Sequence, residues 1–234
     1  MTNRKPREIP TSADWNEFKG TLTADLHKPK EPFRGHWYNL IRKRLEDKHH
    51  SKFSDDIAVL YISFISVWNF ANKEIRHLDY GKFKKVMVAK HNRMLFEELD
   101  NKTLEGIKEE ELHRYEKKIV ILCGELCRTN GIEYVGATKI MHMRNPRFFV
   151  PIDRNIANYF RVNHKKVLKL DKKSFPKSYF EFLRAVKERY QPLAVRYNRD
   201  KEIKDKDGKK MTFARAVDLY NFLKAQELKD KEDK

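Results

Sequence analysis

The chain has 234 residues, 40% hydrophobic and 12% aromatic, which is enough for one packed main domain and too much for a disordered chain. Its 51 Lys/Arg outnumber 34 Asp/Glu for a formal charge of +17, favouring a polyanion such as nucleic acid; a densely charged surface of the thermophile kind would give the same excess. Two cysteines, Cys123 and Cys127, lie four apart on one expected helix, which excludes a disulfide framework and points to a reducing, intracellular compartment, cytoplasmic or nucleoid-associated.

Residues 1–10 read as a flexible basic arm closed by Pro10, and the domain proper is expected over 11–226. It opens with a helix capped by Thr11 or Ser12, its apolar face made of Trp15, Phe18, Leu22 and Leu26. Pro29, Pro32 and Gly35 mark a loop. Trp37, Leu40, Ile41 and Leu45 then recur at helical spacing, with Arg42, Lys43 and Arg44 outside. Ser54 caps the most apolar stretch, residues 55–72, where Asp55 and Asp56 suit the positive end of the helix; this is the expected centre of the core. The stretch is too short and too closely flanked by charge to span a bilayer, and no apolar run of signal-peptide length opens the chain.

Lys82 to Leu99 predicts one helix. Glu109 to Thr129 predicts a longer one with Leu112, Tyr115, Ile119, Leu122, Cys123 and Leu126 inward, stopped by Asn130-Gly131. A short helix from Ala137 to Met143 follows, broken by Asn145-Pro146. Further helices are expected over 154–163 and 180–190, the second bounded by Pro176 and Pro192. Residues 198–210 are an almost fully charged excursion around an Asp-Gly turn. Met211 or Thr212 starts a last helix with Phe213, Ala216, Val217, Tyr220 and Leu223 inward, and residues 227–234 form a charged tail. Strand alternation is scarce, so the fold class is all-α.

The charge is uneven. Between Lys139 and Lys177 there are eleven Lys/Arg and two acids, Asp153 and Asp171, so this stretch supplies nine of the seventeen net charges. Asp153, at a loop-to-helix boundary, is either an N-cap or a reactive carboxylate, and the two roles are compatible. Gly136 with Ala137 at a helix start is either a plain connecting glycine or a phosphate contact through outward N–H groups. Lys165, Lys166 and Lys169, with His164, Lys172 and Lys173, form a basic loop that either follows a sugar-phosphate strand or is simply solvated. Tyr134, His142, Phe148, Phe149 and Trp68 are core residues or stacking platforms for a base. His49-His50, His91 and His113 have no metal-ligand spacing, and no metal or other cofactor is expected.

Helix, glycine turn, short helix and a proline-containing loop ending in Asp resembles the helix-hairpin-helix (HhH-GPD) DNA glycosylase superfamily over residues 118–160, about a fifth of the chain. Ile132, Val135 and Gly136 match the hydrophobic and final glycine positions of its Leu-Pro-Gly-hydrophobic-Gly hairpin. The loop R-N-P-R-F-F-V-P-I-D puts Asp153 at the catalytic Asp. Departures are Glu133 at the usual Pro, Tyr134 at the first hairpin glycine, and a connection from Gly136 to Asp153 shorter by about one helical turn. The Schiff-base lysine of bifunctional members corresponds to Thr138; the adjacent Lys139 is turned about 100° away. Many members hold an iron-sulfur cluster on four cysteines, which two cysteines do not supply.

The resemblance implies a two-lobed helical architecture and a monofunctional DNA N-glycosylase of base-excision type. Asp153 would be its catalytic carboxylate, Gly136 and Lys139 its phosphate contacts, and Arg144, Arg147 and Arg154 supporting cations on double-stranded DNA. No membrane partner is implied. The alternative is a non-enzymatic DNA- or RNA-binding protein on the same scaffold.

Overall fold

The first helix, α1 (Trp15–Leu26), is capped by Asp14, whose Oδ1 accepts the Glu17 N–H at 2.9 Å, so the cap sits later than Thr11 or Ser12. In the computed structural model the described residues are 14–26, 32–47, 53–68, 73–164, 171, 173–200, 203–205 and 208–232. The basic arm and the Lys165, Lys166 and Lys169 loop lie outside them. Among the described residues the fold is all-α, ten helices with one isolated bridge between Lys204 and Lys210, and no helix is long and apolar enough to cross a membrane.

Several boundaries differ from those expected. Pro32 opens α2 (Pro32–Asp47) and does not sit in a loop, because a missing N–H costs nothing in a first helical turn. Ser54 does cap α3 (Asp55–Trp68), its Oγ accepting from Ile57 N at 3.4 Å. The single helix expected over 82–99 is two, α4 (Tyr80–Val88) and α5 (Lys90–Leu99), broken at Ala89, whose ψ of 130° is extended. The buried Asn92 side chain donates to Val86 O at 2.8 Å, occupying one of the carbonyls that the break frees.

The long helix α6 (Glu109–Cys127) ends two residues before the expected Thr129, and Gly131, whose φ of 84° is the left-handed conformation glycine favours, lies in the turn that follows. Next, α7 (Glu133–Arg144) begins four residues before the expected Ala137, and α8 (Arg154–His164) follows the proline loop. Helix α9 (Phe175–Arg199) runs 25 residues and absorbs both Pro176, in its first turn, and Pro192, in its interior. Burial of one face against α6 outweighs the loss of a single backbone hydrogen bond at Pro192, which is itself exposed. Thr212 caps α10 (Phe213–Glu232), which continues into the expected charged tail.

One continuous core runs through all ten helices. Its most enclosed element is α7, buried from Gly136 to Met143 and packed on α6 and α3; the more apolar α3 leaves Val59 55% exposed. On the other side α10 packs on α8 and α1, where Phe18 meets Tyr190, Tyr197, Phe213 and Tyr220 at ring-centroid distances of 5.0 to 6.5 Å.

Candidate functional site

Helix α7 leads into a proline loop, residues 145–153, that folds back over it. Asn145 anchors it: its buried Nδ2 donates to Leu99 O at 2.7 Å, its Oδ1 accepts from Arg147 N at 3.1 Å, and its carbonyl accepts from Phe148 N and Phe149 N. Three further straps hold the loop. Thr138 Oγ1 accepts the Ile152 N–H at 3.2 Å, His142 Nδ1 donates to Phe149 O at 2.6 Å, and the Tyr179 hydroxyl donates to Val150 O at 3.1 Å. Asp153 emerges at a fixed place, half-buried. Its Oδ1 accepts from Ile156 N at 2.8 Å and its carbonyl from Ala157 N at 2.9 Å, so the carboxylate caps α8.

Beside it, α10 contributes a second carboxylate that the sequence reading missed. Asp218 is buried and paired with Arg215 one turn earlier. Burial pushes its pKa up to about 6; Arg215 opposes that, the Asp153 charge adds to it, and Lys139 opposes it. Asp153, Asp218, Lys139 and Arg215 therefore form one electrostatic cluster drawn from α7, the start of α8, and α10. Arg215 also stacks over the Tyr38 ring at 5.0 Å, and Arg42 acts on both Tyr38 and His142, which extends the cluster to α2. Among the described residues no three His, Cys, Asp or Glu side chains converge as metal ligands.

His142 is neutral here, since burial pushes its pKa down to about 3. A carbonyl accepts only, so Nδ1 carries the proton toward Phe149 O and Nε2 accepts the Tyr38 hydroxyl at 2.9 Å. The ring's whole hydrogen-bonding capacity is used in fastening α2 and the loop to α7. With Phe148 and Phe149 fully buried, these three residues are core and not stacking platforms.

The other expected contacts fall in different places. Gly136 is not at a helix start: it lies one turn inside α7, where N–H groups are paired along the helix, and a Cβ there would meet Ile132 Cγ2 at 3.2 Å and Ile65 Cγ2 at 3.7 Å. It is a close-packing glycine, so outward N–H groups do not make it a phosphate contact. Lys139 is 7% exposed and turned into the Asp218 cluster, so it is an interior cation and not a surface contact. Thr138, at the Schiff-base position, is fully buried. Arg144 pairs with Asp100 at 2.8 Å and lies over Phe96. Arg147 and Arg154 are exposed.

At the hairpin, Glu133 has φ 51°, a value closed to the proline that the resemblance would put there. Comparison with protein-family models, with curated proteins and with solved structures finds no match.

Proposed function

We propose that this protein binds DNA through its phosphate backbone and hydrolyses an N-glycosidic bond without forming a covalent intermediate, on a two-lobed helix-hairpin-helix scaffold in a reducing intracellular compartment. The observation that carries the reading is the electrostatic convergence on buried Asp218 of the Asp153 carboxylate and two cations, Arg215 and Lys139, where Asp153 ends a loop held by three straps. Buried charges of both signs are costly to assemble, and perturbed acids of this kind concentrate at reactive sites. The formal charge of +17 supports a polyanionic substrate, and two unpaired cysteines suit a reducing compartment.

In this reading Asp153 accepts a proton from water as the water oxygen bonds to the sugar carbon. The bond from that carbon to the base breaks, and the base leaves with the electron pair and takes up a proton. The fixed carboxylate stabilises the cationic character of the sugar during the exchange. A second reading, a binding protein without catalysis, is favoured by one observation: Asp153 already has a structural duty as the α8 cap.

Incubation with a panel of damaged and mismatched duplexes, scored for abasic sites, tests the activity. Asn caps as well as Asp, so Asp153→Asn is expected to keep stability within about 1 kcal/mol while base release falls about 10²- to 10⁴-fold. A variant that releases bases at the parent rate would remove Asp153 from the chemistry. A parent that binds duplex and releases no base from any member of the panel would select the binding-protein reading.

A further inference from the structure

Where α4 bends into α5, a surface pocket of about 250 Å³ opens against the C-terminal end of α6, lined by Lys82, Lys85, Val86, Ala89, Glu125 and Arg128. Lys82 and Lys85 are one turn apart on α4 and share a face. Lys82 Nζ donates to Arg128 O at 2.7 Å, which fixes an ammonium at the rim with further hydrogens to give. Arg128 is exposed and its guanidinium lies back along α6; a Cβ on Gly124 would stand 3.3 Å from its Nη1. The one acid of the lining, Glu125, is engaged by His91 Nε2 at 3.1 Å and Asn92 Nδ2 at 2.7 Å. Three cations against one occupied carboxylate leave the pocket net positive, while Val86 and Ala89 give it apolar surface.

We infer that this pocket takes one sugar-phosphate unit of a nucleic-acid strand, the phosphate on Lys82, Lys85 and Arg128 and the sugar against Val86 and Ala89. The inference rests on the nucleic-acid reading above and supplies the strand contact that buried Gly136 and Lys139 do not. Its place in the fold suits that duty. Arg128 begins the turn into α7, tied to the start of α4 by Asp79 N donating to Asn130 O at 3.1 Å. The loop that carries Asp153 is strapped to Thr138, about 7.5 Å of helix rise beyond Glu133.

The test is fluorescence anisotropy of a short labelled duplex with the full chain over a KCl series. A Lys85→Gln/Arg128→Gln variant is compared with Lys117→Gln, at an exposed α6 position outside the pocket lining. The pocket variant is expected to bind more weakly, with the slope of log affinity against log salt reduced by about 0.9, the value for one phosphate contact; the control keeps the parent slope. Both keep the parent melting temperature.

A pocket variant with the control's slope would overturn the assignment while leaving the glycosylase reading intact. Loss of base release from Asp153→Asn alone, or no release by the parent, bears on that reading and not on the pocket. No duplex binding by the parent overturns both. Inorganic pyrophosphate binding in the pocket without any duplex affinity would show a free-anion site and overturn the strand assignment.

Discussion

The Tyr38 hydroxyl donates to His142 Nε2 at 2.9 Å, and because His142 Nδ1 is committed to Phe149 O, no tautomer switch can replace that donor. Tyr38→Phe keeps the ring beneath Arg215 but strands a buried acceptor. It is expected to cost about 1 to 3 kcal/mol in urea unfolding with an unchanged m-value. A loss below about 0.5 kcal/mol would mean that Nε2 finds another partner, contrary to this geometry.

The two shifted groups of the cluster pull stability in opposite directions with pH. For His142 the folded pKa, about 3, is below the ordinary 6.5, so the unfolded chain binds the extra proton; stability is full above pH 6.5 and is lost as pH falls toward 3. For Asp218 the folded pKa, about 6, is above 3.8, so the folded chain binds the extra proton; that contribution is full below pH 3.8 and is lost as pH rises toward 6. Between pH 4 and 6 the two slopes cancel.

Asp218→Asn is therefore expected to uncover the histidine slope, losing about 1.4 kcal/mol of stability per unit of falling pH relative to the parent, and His142→Gln the reverse. Chemical denaturation at half-unit steps measures both, and parallel curves for parent and variants would contradict the burial of these groups.

Glu133 holds φ 51°, where a side chain is strained. Glu133→Gly is expected to stabilise by about 1 kcal/mol, whereas Glu133→Pro should destabilise by about 3 kcal/mol or more, since proline fixes φ near −65°. The order of the three melting temperatures, Gly above Glu above Pro, is the check, and any other order would place a different backbone at the hairpin.

The helical periodicity over 109–127, the left-handed glycine at 131 in the turn after it, the Ser54 cap and the Asp153 position at the head of α8 were all legible locally, because each depends on residues within about one turn of one another. Asp218 left a faint trace: an acid directly after Val217 in an otherwise inward-facing helix. Lys139 was misjudged for a geometric reason. A face 100° from Thr138 is still interior when α7 is enclosed on all sides. Ala89 carries no breaker residue, and its bend depends on Asn92, which is held by Glu125 from another helix.

The sequence by itself determined that the chain is helical and basic, and where the Asp153 loop begins and ends, since propensity, capping and glycine chemistry act over a few residues. Only the tertiary structure decided which helix lies at the centre and which charges meet. Hydrophobicity singled out α3, yet the most enclosed helix is α7, whose Thr138 and His142 are affordable inside because partners from α2 and the Asp153 loop satisfy them. The meeting of Asp153, Asp218, Lys139 and Arg215 joins residues up to 79 positions apart, 139 to 218, and follows from how α7, α8 and α10 pack, which no local pattern encodes.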